Sequence, residues 1–184
     1  EGVKPIAGVE VRNQDQLLYI LLAANNKGFS WINQFLSVHL QAKKSFPEMT
    51  TSYSFFKDEW DGFVIYPLGT KKPTDLFSNE RIGVLPSEVN KLFGVDLHGC
   101  RDKLIVRQPV SFQDKVYFNV HRLLRAIDKN VLLSKLPAEA TASVNETFIS
   151  PGELIDKFKL YPFIVTNTYK LMDSCHIEME FGTD

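Results

Sequence analysis

The residues best equipped for chemistry in this chain are cations. Between positions 101 and 129 stand Arg101, Lys103, Arg107, Lys115, Arg122, Arg125 and Lys129, seven bases against Asp102, Asp114 and Asp128. In a strand, successive side chains alternate between two faces. Read that way, Lys103 and Arg107 share one face of Lys103–Arg107, with Leu104 and Val106 on the other. In the next run Lys115, Tyr117, Asn119 and His121 face one way, and Val116, Phe118 and Val120 turn to a core. Paired as a hairpin, the two runs present cations with an aromatic ring among them, and Arg122 follows as a further candidate contact. Ammonium and guanidinium groups neutralise phosphates, and a base stacking on an aromatic ring gains about 1–3 kcal/mol. The chemistry implied is non-covalent capture of single-stranded nucleic acid. Lys43, Lys44, Lys57, Lys71, Lys72 and Arg81 extend the possible path. The reading requires that cations from two neighbouring strands emerge on the same side; the plainer alternative is a hairpin whose polar face is merely wet.

Covalent and metal chemistry find little support. The histidines are His39, His98, His121 and His176, and the cysteines are Cys100 and Cys175. No pair has zinc-ligand spacing. There is no phosphate-binding glycine loop, dinucleotide fingerprint or nucleophile elbow, and acid pairs such as Asp58-Glu59 fall in a hairpin-loop composition where solvated carboxylates are the default. The expectation is a non-enzyme with no cofactor and no metal.

Composition agrees with a folded domain. The chain has 184 residues, 44% hydrophobic and 23% charged, which are ordinary globular values and long enough for one real core. The longest apolar run, Leu17 to Ala24, is too short to span a bilayer, so no membrane partner is expected. Net charge is −1, but residues 1–138 carry 18 Lys/Arg against 14 Asp/Glu, while residues 139–184 carry 3 against 8. A phosphate-binding surface needs local rather than total positive charge, since screening confines surface fields to about 8–10 Å. Two cysteines make no disulfide framework. Position 1 is Glu, so the sequence is silent on a targeting segment.

The elements that must position these residues are predicted as follows. A short helix spans Asp15–Ala24, closed by Asn25-Asn26-Lys27-Gly28. Strands follow at Trp31–Ala42, Thr51–Phe56 and Gly62–Tyr66, the last two joined through Asp58–Gly62. After the loop Gly69–Asp75 comes a strand near Glu80–Leu85, then a short helix Glu88–Phe93 capped by Ser87 and stopped by Gly94. Strands at Val95–His98, Leu104–Val110 and Lys115–Arg122 lead to a small helix at Leu123–Lys129 and an irregular stretch to Ala142. A last strand, Ser143–Ile149, precedes the clearest local signal, Ser150-Pro151-Gly152-Glu153. That is a capping box with proline at the first helical position. Its helix carries Leu154, Ile155, Phe158 and Tyr161 as a core-facing stripe. Short links between strands imply antiparallel sheets, and segregated helices make the class α+β.

As a series, several segments resemble the Whirly family of single-stranded nucleic-acid-binding proteins. They are Phe35–Val38 with Phe46-Pro47-Glu48, Gly62–Gly69, Ile82–Leu92, Arg101–Val110, Tyr117–Val120 and Ile149–Val165 with Tyr161-Pro162. The family's lysine-bearing motif would fall at Trp31–Leu36, where no lysine stands. Within that fold the chain looks most like the kinetoplastid mitochondrial RNA-binding proteins, in particular their less basic second subunit. The resemblance implies two antiparallel sheets packed with helices and a helix-mediated hetero-tetramer with a homologous subunit. It also implies a mitochondrial setting and binding of guide RNA for annealing to pre-mRNA during RNA editing. Residues 1–28 would be an N-terminal extension, 29–170 a single nucleic-acid-binding domain and 171–184 an acidic tail. The alternatives are a Whirly-like single-stranded DNA-binding regulator and a scaffold whose sheet binds protein.

Overall fold

The computed structural model describes residues 4–48 and 60–178. The class is α+β: a five-stranded sheet with helices packed on it. Strands β1 (Gly8–Asn13), β2 (Gln16–Ala23), β3 (Gly62–Pro67), β4 (Glu80–Val84) and β5 (Leu104–Val106) lie in sequence order. The helices are α1 (Asn26–Ala42), α2 (Lys115–Asp128), α3 (Pro151–Lys157) and α4 (Pro162–Ser174), with short 3-10 turns between elements.

The sheet is mixed, which corrects the expectation of antiparallel sheets. β1–β2 and β2–β3 are antiparallel, but β3–β4 and β4–β5 are parallel. The physical reason lies in the links. β1 and β2 are joined by Gln14-Asp15, with Gln14 in the left-handed region at φ 55°, a tight reversal. Residues 68–79 and 85–103 are long enough to carry the chain back across the sheet, as parallel neighbours require. Pro67, Val84 and Val106 therefore end three parallel strands at one edge.

Two elements exchange type. Asp15–Ala24, expected as a helix, is mostly strand β2, because a short apolar run has no periodicity to separate the two. The Val9–Arg12 segment supplies its partner strand. Trp31–Ala42, expected as a strand, belongs to helix α1. Asn25, expected to close a helix, opens one: its side chain accepts a hydrogen bond from the Gly28 N–H at 3.0 Å. Ile32 and Phe35 are then buried one turn apart, packing with Val11, Tyr19, Leu21, Val64 and Tyr66 on one sheet face.

Other boundaries shift for local reasons. The Thr51–Phe56 strand lies outside the described residues, as does part of the Asp58–Gly62 link. β3, β4 and the helix after Ser150 form where expected. The Ser150 hydroxyl accepts from the Glu153 N–H at 3.2 Å. Phe158 is fully buried, while Ile155 of the expected stripe is exposed. The helix expected at Glu88–Phe93 is a 3-10 turn, Pro86–Leu92. Its start is secured by the Glu88 carboxylate accepting from the Leu85 N–H at 3.1 Å rather than by Ser87. Val95–His98 is not a strand, Leu104–Val110 is strand only to Val106, and Ser143–Ile149 contributes one isolated bridge, Thr147 with Phe112. Residues 8–23, within the expected extension, supply two of the five strands. Leu171, Cys175 and Ile177, within the expected tail, are buried.

The second cluster, Ile82, Val84, Val89, Leu92, Leu104, Phe158 and Ile164, continues the same sheet face under α3 and α4. The opposite face carries Ile65 and Ile105, with Leu171 and half-buried Ile20, Leu22 and Phe63 beside them. α4 runs along the edge strand β5. Thr168 Oγ1 accepts from the Val106 N–H at 2.8 Å, and Asn167 Nδ2 donates to the Leu104 carbonyl at 2.9 Å and the Arg101 carbonyl at 2.7 Å. Backbone groups that an edge strand would leave open are thereby occupied.

Candidate functional site

The cationic hairpin is not formed. Lys115–Asp128 is an α-helix because Asp114 caps it: its carboxylate accepts from the N–H groups of Val116 at 2.7 Å and Tyr117 at 3.3 Å. Period-two alternation in Lys115–His121 coexists with helical spacing of Val116, Val120, Leu123, Leu124 and Ile127, and the cap decides for the helix. Lys115, Tyr117, His121 and Arg122 thus leave the sheet, and Lys103 and Arg107 have no strand beside them on that side.

The remaining expected residues are dispersed. Lys43 is the left-handed residue ending α1, φ 50°, with Lys44 exposed beside it. Lys57 lies outside the described residues. Lys72 is exposed before a 3-10 turn. Lys71 is turned inward: its ammonium meets Glu80 Oε2 at 2.7 Å, both side chains 8% exposed. Glu80 Oε1 accepts from the Tyr66 hydroxyl at 2.9 Å, and Oε2 also accepts from the Phe77 N–H at 2.8 Å. Burial first, then the Glu80 charge, pushes the Tyr66 phenol far above its ordinary value. This is a structural network, and Lys71 is not available to a phosphate.

Arg81 and Lys103 are brought together. Arg81 donates to the carbonyls of Ser78 and Glu80, both at 2.7 Å, and stacks over Phe63 at 5.4 Å. Lys103 donates to Phe77 and Ser78 carbonyls at 3.0 and 3.2 Å. Burial lowers the pKa of both groups, Arg81 further disfavouring the Lys103 charge. Both side chains are engaged with one turn, Arg81 through Nη1 and Lys103 through its ammonium.

The inward side of α2 is mixed: Ala126 is buried and Phe118 packs on Phe112, with His121, Arg122 and Arg125 half-buried beside them. Arg125 Nε donates to the Ala140 carbonyl at 2.8 Å, while its other nitrogens pair with Asp128 at 2.9 Å and Asp15 at 3.2 Å. Lys129 reaches Asp15 at 3.3 Å. His121 Nε2 accepts from the Ala142 N–H at 3.1 Å, and Arg122 lies over Phe118 at 5.9 Å. Outward stand Val116, Val120, Leu123, Leu124 and Ile127, each 46–72% exposed. Charge thus anchors the helix to the β1–β2 turn and the 138–142 segment, and an apolar stripe is left to solvent. The sequence reading missed the stripe, although its spacing was in plain view once Lys115–Asp128 is taken as helix.

Arg107 and Lys115 both line a cavity of about 740 Å³ at the ends of β4 and β5. Its walls come from residues 85–90, 107–109, 143–149 and 153–160. Among the described residues no group of three or more His, Cys, Asp or Glu side chains is placed to hold a metal ion. No described helix is long and apolar enough to cross a membrane.

No protein-family profile matches the chain. One curated protein, a DNA polymerase III subunit alpha from Halalkalibacterium halodurans, is 29% identical over 79 residues, 43% of this chain. The match spans 7% of that protein's length.

Proposed function

We propose that this chain is a non-catalytic docking module of a DNA polymerase III alpha-like polypeptide, seated against the rest of that polypeptide through the outer face of α2. The observation that carries the reading is the exposed stripe of α2. Five large apolar side chains sit at helical spacing on the solvent side, while Arg125, Lys129 and His121 hold the inner side. Contiguous exposed apolar surface marks an interaction face, and burying such side chains stabilises by roughly 1.5–3 kcal/mol each. The partial likeness to a polymerase subunit of far greater length supports a large covering partner. Supporting a non-catalytic role, the buried ionisable groups Glu80, Lys71 and Tyr66 are committed to one another.

The guide-RNA annealing role, with its hetero-tetramer and mitochondrial setting, asked for Lys103, Arg107 and Lys115 on one sheet face. Lys115 on a helix withdraws that support, and the described residues form one mixed sheet rather than the paired antiparallel sheets that the Whirly resemblance implies. Neither is part of our reading.

The test is complementation in trans. A DNA polymerase III alpha subunit from the same cell, lacking the segment that matches this chain, is mixed with the chain. Co-elution is expected, and loss of co-elution with Leu123→Asp/Ile127→Asp. Absence of a complex, or a complex indifferent to those substitutions, overturns the proposal. Salt-sensitive retention of single-stranded RNA by a chain that ignores the polymerase would favour the nucleic-acid role instead.

A further inference from the structure

We infer that the cavity between β4, β5 and α3 is a binding site for a phosphate ester, with Arg107 as its anchoring cation. This does not rest on the docking role of the α2 stripe, although Lys115, which opens that helix, lines the cavity.

The argument begins at Gly83. The Arg107 N–H donates to the Val84 carbonyl at 2.9 Å, continuing the β4–β5 ladder by one residue. Its side chain then lies back across β4. A Cβ added at Gly83 would meet Arg107 Cβ at 2.9 Å and Cδ at 3.1 Å, with Ile65 Cγ2 at 3.0 Å. Only a residue without a side chain leaves room for that stem. Arg107 Nε is buried and has no hydrogen-bond partner among the described residues. Burial disfavours its charge, against which Glu88, Glu10 and Glu146 act from a distance and Arg12 opposes them. None of those carboxylates forms an ion pair with it. A half-buried guanidinium without a direct partner is costly, and the cost is relieved when an anion arrives.

The acids near the cavity are already occupied. Glu146 accepts from the Ser111 hydroxyl at 2.6 Å and the Ser143 N–H at 3.0 Å. Glu88 accepts from Leu85 N–H and pairs with Lys91 at 3.2 Å. Glu153 and Asp156 pair with Lys157 and Lys159, each at 3.5 Å. Lys115, on the cavity wall, has no ion pair among the described residues. Of the four cations lining the cavity, Arg107, Lys115, Lys157 and Lys159, the first two are those without an ion pair among the described residues. Two cations suit a doubly charged phosphate better than a carboxylate, and the guanidinium fork matches phosphate oxygens two at a time. The cavity lies beyond the carboxyl ends of the parallel strands β4 and β5, the end at which open α/β sheets bind their ligands. A volume of about 740 Å³ falls in the range of small-molecule sites, with room for a nucleotide attached to that phosphate.

The test is a titration of the whole chain followed by the Arg107 Nε–H nuclear magnetic resonance signal. The probes are inorganic phosphate, deoxyadenosine monophosphate and a 5′-phosphorylated single-stranded hexanucleotide. A saturable shift of that signal is expected, with affinity falling roughly tenfold or more in Arg107→Gln and less in Arg107→Lys. Tighter binding of the mononucleotide assigns a free nucleotide; tighter binding of the hexanucleotide assigns a strand terminus, and either supports the site. No shift at millimolar probe, or an affinity unchanged by Arg107→Gln, overturns it. Should Arg107→Gln fail to fold, the wild-type signal together with Lys115→Gln decides: a static signal or unchanged affinity rejects the site.

Discussion

Glu80 shows how one buried acid can organise its neighbours. It accepts from Tyr66, Lys71 and the Phe77 N–H, so the sole carboxylate of β4 has its oxygens filled. Replacing Glu80 by Gln leaves the Lys71 ammonium buried without a counter-charge, and removing one partner of such a pair costs about 3–5 kcal/mol. Lys71→Met leaves Glu80 two other donors and should cost less; urea unfolding of both variants checks the order. Tyr66 gives the pH test. Its folded pKa is raised, so the folded state holds the proton more tightly than the unfolded chain, whose phenol titrates near 10. The stability this contributes is fully present below pH 10 and falls as pH rises above it. Tyr66→Phe should flatten that alkaline slope between pH 9 and 11. None of this was legible in the sequence. Lys71 sits in a loop doublet beside Lys72 and reads as a solvated tip, and only the packing of β3 against β4 brings Glu80 to it.

At the level of elements, local chemistry was readable where a side chain fixes the backbone, and misread where two periodicities compete. Ser150 with Glu153 specifies the start of α3, and Gly62–Tyr66 reads as strand on composition alone, one residue short of β3. Lys115–His121 alternates polar and apolar like a strand and also places apolar residues on a helical stripe; the deciding residue is Asp114 before it. Leu17–Ala23 is uniformly apolar, so its strand character follows from β1 and β3 on either side. The edge of β5 depends on side chains that no pattern announces. Thr168 and Asn167 take the place of a sixth strand. Thr168→Val keeps the shape but strands the Val106 N–H, at a cost of about 1–3 kcal/mol, and Asn167→Ala should lower stability by a similar route. Thermal unfolding measures both. Faster hydrogen exchange at Val106 in Thr168→Val, with the remainder of the sheet unchanged, would locate the effect at that edge.

On the scale of the whole molecule, both ends of the described chain are tied to one place. The Ala24 carbonyl accepts from the His176 N–H at 2.7 Å, and Asn26 exchanges two hydrogen bonds with the Glu178 backbone at 2.8 and 3.0 Å. Lys4 donates to the carbonyls of Met172 and Asp173 at 2.7 and 2.9 Å. β1 and β2 bring Val11, Leu18, Tyr19, Leu21 and Ala23 into the core beside Ile177. A division into extension, domain and tail follows the span of the family resemblance and the acidic residues at the end, neither of which sees the sheet that residues 8–23 complete. The two pictures differ in what truncation does. If residues 1–28 were an appendage, their deletion would leave the melting transition in place. As two of five strands they supply the partner of β3, whose removal exposes Val64 and Tyr66 to water. Deleting residues 1–14 takes β1 from the β2 edge and uncovers Tyr19, and we expect a domain without a cooperative transition. Removing 175–184 takes out Cys175 and Ile177 and should lower the melting temperature while the transition stays cooperative, since α4 still covers β5. Calorimetry of the two truncations separates them, and a full-height transition after loss of residues 1–14 would show that the sheet closes without its first strand.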